Sequence, residues 1–459
     1  MGTVGLNFGA VNSGSGFDVA STVSQILSIE QAIETPWKTQ LTNLQAQDTA
    51  LSTFGTHLAT LSSSLQTLTD FNGVFAAKQG SSSDNNVVAL TSASNLATAG
   101  SHTILVNNLA QTSSEYSDRI TNASDPLSGS LTIRIGSGDP QTITINSSNN
   151  TLSLLAASIN AASIGVTASV VKDTNGSRLS LVSKTSGAAG QIDLSGSILS
   201  DETSGNSISF QQGQQGLDAH LNVDGLDTTS ASNTVTDVIP GVTYQLLSVS
   251  ASANQPVQVQ ITNDNTSIEQ AMSNFVTAYN TVISDIKTQE GKDSSGNPQP
   301  LFGDPTVALI QSQLTQGLLS GAASGSIKSL QQIGVSVDQF GKLNLDASQL
   351  DTALTTNFSD IEGFLQNADS FGQSFTKALN GLSGTSTKGV VFLALQQNTA
   401  QEAALNGSIS DQEARIADDK VRLTNQLNLA NQILQSIPDQ VNQINQLYSA
   451  VTGFNTGNQ

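Results

Sequence analysis

The sequence predicts an α+β multidomain protein in which helical segments at both ends of the chain flank an inserted, antiparallel β-rich region. Apolar residues recur with seven-residue spacing near each terminus, which is typical of coiled-coil helices. Between about residues 71 and 263, short runs of alternating apolar and polar residues are separated by turn sequences such as SGDP and DTNG, a pattern typical of short strands. We therefore expect terminal coiled-coil legs, a mostly helical leg domain and inserted β-rich head domains.

The composition limits the kinds of partner that the chain can have. The 459 residues include 16 Lys and Arg against 36 Asp and Glu, for a net charge of −20. So acidic a chain lacks the basic face that binding to nucleic acid or to an anionic membrane requires. Hydrophobic residues make up 37% of the chain and aromatic residues 4%, so we expect thin, aliphatic cores.

The cysteine count and the first residues bear on export. The chain contains no Cys, which suits a protein that passes between reducing and oxidising compartments. The opening MGTVGLNFGAVNSGSG has neither the basic region nor the apolar core of a Sec-type signal peptide. We expect a protein that is either cytoplasmic or exported by a route that does not read a hydrophobic signal.

The first helical zone runs from about Phe17 to Asp70. We expect Asp18 to cap a first helix and Pro36 to interrupt the helical pattern. A long helix follows, because leucines recur every seven residues and a second apolar position accompanies them towards the end. The first set is Leu44, Leu51, Leu58 and Leu65, and the second set is Phe54, Leu61 and Leu68.

The β-rich zone is divided by recognisable turns. Asp224-Gly225 predicts a hairpin turn, and Pro240-Gly241 predicts a type II turn, because Gly tolerates the positive φ that such turns need. One short helix interrupts the strands, from about Leu152 to an end near Gly165.

The third zone returns to helical spacing. We expect a helix over about residues 268–286, a second from about Thr306 to Leu319, a strand pair in GVSVDQFGKLNLD and further helix from Ala347. A heptad pattern closes the chain, and Pro438 within it predicts a kink or a new helix start. Its apolar positions are Leu423, Leu427, Ala430, Leu434, Ile437, Val441, Ile444, Tyr448 and Val451.

Neither heptad pattern can bury its apolar stripe alone, and two interpretations remain open. The helices pack within one molecule, or they pair between subunits and dock on a larger assembly. Under the second interpretation the predicted oligomerisation and docking residues are Leu44, Leu51, Leu58, Leu65, Leu423, Leu427, Leu434, Ile437, Val441, Ile444 and Tyr448.

We predict no catalytic, cofactor or metal site. The three histidines, His57, His102 and His220, stand in no recognised catalytic motif. Acidic residues cluster around Asp218 and Asp227, but without the spacing of a calcium loop, and a turn explains them better. We therefore expect a structural protein and not an enzyme.

Several stretches, in order, resemble the flagellar hook-associated protein 2 family, the bacterial filament caps. GSGFDVASTVSQILSIEQA resembles the opening of that family, and SHTILVNNLAQT resembles a following strand segment. LAASINAASIGVTASVVKDTNGSRLSLVSKTSGAAG resembles the IN motif shared among flagellar proteins. SNTVTDVIPGVTYQLL, then LFGDPTV and IGVSVDQFGKLNLDASQLDTAL, resemble its later segments, whereas the last helix departs from the usual ending.

The resemblance implies a filament cap that is secreted by flagellar type III export to the flagellum tip, where it retains flagellin and promotes its ordered insertion and filament elongation. It implies a homo-oligomeric ring of about four to six copies, with flagellin, other hook-associated proteins and a cytoplasmic export chaperone as partners. The alternatives are a surface adhesin that binds host mucin or glycans through the β head, and another hook–filament junction protein.

The resemblance and the element order together imply four domains. Residues 1–45 with 410–459 form the terminal coiled-coil leg, partly disordered alone, and 46–77 with 265–409 form the helical leg domain. Residues 78–119 with 216–264 form one β head domain, and 120–215 form a second that carries the IN motif.

Overall fold

A computed structural model describes residues 17–453, apart from 237, 253 and 322–324. The described chain separates into two compact units. Unit 1 comprises the chain up to Thr69 and from Glu269 onward, and unit 2 comprises Asp70–Ile268. The α+β fold class is confirmed, because helices with one short strand pair build unit 1, and antiparallel strands with the helix of residues 152–162 build most of unit 2.

The helices begin and end close to the predicted positions. Asp18 caps α1 through a bond from the Ser21 N–H to its carboxylate, and the break between the first two helices lies just before Pro36, as expected. The helices are α1 (Val19–Gln31), α2 (Glu34–Thr69), α3 (Leu152–Ala162), α4 (Asn265–Gln289), α5 (Pro305–Leu318), α6 (Ala347–Gln366), α7 (Phe371–Leu382) and α8 (Val390–Thr452).

The strands are short, and every pairing between described strands is antiparallel. They are β1 (Lys78–Ser82), β2 (Val88–Ala93), β3 (Gly100–Asn108), β4 (Thr112–Ser117), β5 (Leu127–Ile135), β6 (Gln141–Thr144), β7 (Val166–Asp173), β8 (Gly176–Ser186), β9 (Ile192–Asp193), β10 (Ile198–Asp201), β11 (Ser207–Ile208), β12 (Phe210–Gln214), β13 (Ala219–Val223), β14 (Leu226–Ser230), β15 (Thr234–Val235), β16 (Val242–Leu246), β17 (Val257–Asn263), β18 (Val335–Val337) and β19 (Leu343–Leu345).

Unit 1 is organised around α2, which packs against α6, α7 and α8. The leucines of the first heptad pattern lie in this interior; Leu58 is 1% exposed, and Leu61 and Leu65 are fully buried. Aromatic rings complete the core, with Phe371 stacked on Phe375 at 5.6 Å between ring centres and Phe275 meeting Phe375 edge-on at 5.8 Å. The predicted strand pair forms as β18 and β19.

Unit 2 contains two separate hydrophobic cores. The first is built from residues 87–110 and 219–261, under a five-stranded sheet of order β1-β17-β3-β13-β14 and a three-stranded sheet of order β15-β16-β2. The second lies within residues 120–208 and includes α3, with sheets of order β12-β4-β8-β7 and β11-β10-β5-β6. β4 therefore pairs with strands of the second core and not of the first.

Both predicted turns are confirmed by their backbone geometry. Asp224 and Gly225 have φ values of 54° and 87° and join β13 to β14, as a type I′ hairpin turn requires. At the other turn the Val242 N–H donates to the Ile239 carbonyl over 3.0 Å and Gly241 has a φ of 74°. A side chain at Gly241 would also come within 2.5 Å of the Ala97 nitrogen.

The IN segment has a clear structural role. Ile159 is fully buried in the second core, and the Asn160 amide pairs with the outer edge of β7. Its Nδ2 donates to the Ala168 carbonyl and its Oδ1 accepts from the Ala168 N–H, both over 2.8 Å. The side chain thus replaces a neighbouring strand at that position and satisfies backbone groups that an edge strand leaves unpaired. Asn280 makes the same double contact with Leu343 in unit 1.

Asn160→Asp should loosen this edge of the second core. The carboxylate keeps an acceptor for the Ala168 N–H but places a charged oxygen against the Ala168 carbonyl, where the amide donated. We expect the local opening free energy to fall by about 1–2 kcal/mol, so that the Ala168 amide exchanges its hydrogen faster. Asn175→Asp, on an exposed turn residue, is the matched control. Equal exchange in the two variants would contradict the role given to Asn160.

Candidate functional site

The two heptad patterns differ in how far the structure buries them. Leu44, Leu51, Leu58 and Leu65 are all buried by other helices of unit 1. They stabilise the molecule itself, and a contact between copies through them stays a prediction. The C-terminal pattern is divided, since its first residues are half-buried against α1 and its later ones are exposed.

The covered part of the C-terminal pattern packs on α1. Val23 and Leu27 of α1 form a small cluster with Ile416, and Leu423 and Leu427 pack against it. The two helices run antiparallel, because the Phe17 N–H donates to the Asn431 side chain over 2.9 Å while Lys38, further along the chain, reaches back to Glu413. The contact with α1 therefore extends along α8 as far as Asn431.

Beyond Asn431 the apolar face of α8 has no covering element within residues 17–453 as described. We call its residues the distal stripe, and their exposed fractions range from 40% at Leu434 to 80% at Val451. They recur at spacings of three and four, so they lie on one side of the helix. The distal stripe comprises Leu434, Ile437, Val441, Ile444, Tyr448 and Val451.

The distal part of α8 also has almost no charge. Asp439 is the only charged residue between Leu423 and Thr452, and Gln and Asn supply most of the other polar positions. α8 continues through Pro438, so no new helix starts there. A single, nearly uncharged helical segment with an exposed apolar side can bury that side only against another surface, which makes it a candidate docking element.

A charged group surrounds the break between α1 and α2. Lys38 bridges Glu34 over 2.7 Å and Glu413 over 3.2 Å. The bonds from the Lys38 ammonium to these carboxylates, with Glu34 the larger cause, raise its pKa above the usual value. Glu34 is 4% exposed, and none of the described residues donates a hydrogen bond to its Oε1. This group was not predicted from the sequence, although the Glu34–Lys38 spacing of four is typical of an ion pair on one helix face.

The histidines have structural partners. His57 bonds Asp285, and His102 bonds Asp224 over 2.7 Å, where Asp224 also accepts from the Thr103 N–H. In the described part of the chain no group of three or more potential ligands could hold a metal ion. Nor does any described helix have the length and hydropathy that crossing a bilayer demands. The distal stripe is therefore the strongest candidate site.

Comparisons with known proteins agree along most of the chain. A family model described as the N-terminus of flagellar hook-associated protein 2 matches residues 15–113, and one described as its C-terminus matches residues 216–450. The B-type flagellar hook-associated protein 2 of Pseudomonas aeruginosa is 28% identical over 451 residues, which cover 91% of this chain and 90% of that protein.

Two further matches extend the comparison. The flagellar hook-associated protein 2 of Escherichia coli is 29% identical over 401 residues, covering 82% of this chain and 84% of that one. A crystal structure of three domains of the flagellar cap protein from Escherichia coli matches with a TM-score of 0.59 and 28% identity, over 76% of this chain and 99% of that structure.

Proposed function

Because the chain belongs to the flagellar hook-associated protein 2 family, we propose that its exposed terminal helix serves the capping of the bacterial flagellar filament. The protein is a flagellar filament cap, an extracellular component at the distal tip of the flagellum. Its family consists of structural cap proteins, and we assign it no catalytic role. Flagellin and other flagellar assembly components are its partners, and it acts as an oligomer.

The observation that carries the docking proposal is the distal stripe. Each half-exposed Leu, Ile or Val gains about 1 kcal/mol when its remaining surface is buried. Five such residues together with Tyr448 give enough free energy to hold a helix on its partner, yet each step of release exposes little area. We infer that this helix docks on neighbouring subunits or on the filament, and that it detaches and redocks as flagellin is inserted.

The finer assembly is also a proposal. We infer a ring of about four to six copies, because identical subunits most often close with rotational symmetry. We further infer flagellar type III export, a cytoplasmic export chaperone and contact with other hook-associated proteins, all on the strength of the family. No observation favours the adhesin alternative, and no described feature of unit 2 points to mucin or glycans.

We propose the four-domain division with one adjustment. The two cores of unit 2 support a pair of β head domains, and the break between α1 and α2 supports a terminal leg that is distinct from the helical leg domain. Since β4 and β12 pair within the sheet of the second core, we place residues 112–117 in the second head domain.

Deleting the protein tests its function directly. Cells without it should carry hooks with no filament and should release unpolymerised flagellin, because no cap retains the arriving subunits. Electron microscopy and the flagellin content of the medium measure this, and re-expression of the full chain is the control. Filaments of normal length in the deletion strain would contradict the proposed function.

A further inference from the structure

A cavity of about 640 Å³ opens between α8 and the break that separates α1 from α2. Glu34 and Lys38 line it from α2, and Glu413, Ala417 and Lys420 line it from α8. The Glu34 side chain is only 6% exposed, and its Oε1 is buried without a hydrogen-bond partner among residues 17–453 as described. An unsatisfied buried carboxylate oxygen is costly, and no described group donates to this one.

The charges along this cavity alternate in a defined order. The antiparallel packing sets Lys38 beside Glu413, and Glu34, one turn earlier in α2, then lies at the level of Ala417. Lys420 follows and takes part in no ion pair found among the described residues. Read in the direction of α8, the cavity face therefore presents Lys38 bonded to Glu413, then the carboxylate of Glu34, then the ammonium of Lys420.

The side of α8 that faces away from the cavity carries a basic residue between two acidic ones, at nearly the same level along the helix axis. Asp411, Arg415 and Asp418 are spaced by four and three, so they share one face, and all are exposed. Each of them precedes by two residues the α8 position at the matching level of the cavity face, namely 413, 417 or 420. Two residues correspond to a rotation of about 200° around the helix axis and a shift of about 3 Å along it. None forms an ion pair with a described residue, whereas the nearby Arg422 is already bonded to Asp419.

A ring of parallel copies requires two different faces on each subunit whose charges are complementary at the same level along the helix axis. In such a ring each subunit offers one patch to one neighbour and a second patch to the other. A separation of about 3 Å along the helix is small enough for Arg and Lys side chains to span. Two copies with parallel α8 helices can therefore meet with Arg415 opposite Glu34 and Asp418 opposite Lys420.

We propose that Arg415 of one copy enters the cavity of its neighbour and bonds the free oxygen of Glu34, while Asp418 meets Lys420. The proposal rests on the oligomeric cap and assigns residues to the contact between its subunits. The guanidinium supplies the donor that Glu34 lacks, and the cavity becomes complete only when the next copy is present. The contact fixes both the direction and the height of adjoining legs.

Charge exchange between two variants tests the contact in the full chain. Arg415→Glu and Glu34→Arg each place like charges together, so each variant alone should associate with itself at least about thirtyfold more weakly than the wild type. In an equimolar mixture, residue 415 of one variant meets residue 34 of the other, and the two charges are opposite whichever variant supplies residue 415. Association should therefore return. Analytical ultracentrifugation measures this, and Lys377→Glu, an exposed helical cation elsewhere in unit 1, is the control.

A second pair of charge-exchange variants keeps the test valid if Glu34→Arg unfolds the terminal leg. Asp418→Lys and Lys420→Asp alter only exposed residues and should show the same weakening and the same recovery on mixing. Self-association of Arg415→Glu equal to that of Lys377→Glu, or no recovery in either mixture, would overturn the proposal. If the wild type caps filaments while Arg415→Glu associates normally, the contact fails and the function stands. Absence of capping by the wild type would instead refute the function.

Discussion

Replacing Leu434, Val441 and Ile444 by Asp should abolish filament capping while leaving both compact units folded. These side chains are 40–64% exposed and have no covering element in the described chain, so charges there cost the isolated molecule little. On docking, however, each carboxylate would have to be buried without a counter-ion, which costs several kcal/mol per site. Cells that express the variant should release flagellin and grow no filaments.

The matched control puts the same three charges on the other side of the helix. Gln432, Gln443 and Gln446 lie opposite the distal stripe, and their replacement by Asp should leave filament growth close to normal. Circular dichroism of both purified variants reports whether unit folding is retained. Normal filaments with the stripe variant, or equal loss with the control variant, would show that the stripe is not the docking surface.

Leu58→Ala should act in the opposite way, by destabilising unit 1 itself. Leu58 is 1% exposed within the helical core, and truncating such a leucine leaves a cavity as well as losing apolar contact. We expect the free energy of unfolding of unit 1 to fall by about 3 kcal/mol. Trp37 is the only tryptophan of the chain and lies in α2, so its fluorescence during urea unfolding follows this unit.

Two comparisons make the Leu58 result specific. Leu58→Met keeps the volume and should cost less than about 1.5 kcal/mol. Leu434→Ala removes the same atoms from the distal stripe and should change the stability by no more than about 0.5 kcal/mol. If Leu58→Ala unfolded at the same urea concentration as the wild type, the buried position of the first heptad pattern would be wrong.

The two leucine patterns show how far the sequence could predict this molecule. Both were recognisable as helices, because spacing is a local property of the chain. Whether a stripe is covered by the same molecule or by another depends on distant residues, and Leu58 and Leu434 look alike in the sequence. Local turn chemistry predicted the Asp224-Gly225 hairpin for the same reason that the spacing predicted the helices.

Non-local features could not be predicted in this way. The order β1-β17-β3-β13-β14 brings together strands from both ends of the inserted region, and no single segment encodes it. The Asn160 contact with β7 joins residues eight apart, but nothing in the sequence marks the amide as a strand substitute. Likewise the cavity beside Glu34 arises only when α8 is laid along the break between α1 and α2.

The near absence of charge at the end of α8 has a consequence for the surroundings in which the flagellum works. Dissolved ions weaken attraction between charged side chains over distances of about 10 Å at 0.1 M, but they scarcely diminish apolar contact. With Asp439 as the only ionised side chain between Leu423 and Thr452, the hold of this helix should be nearly the same in fresh water and in brine. The docking of this helix would thus persist as the cell swims from one medium into another.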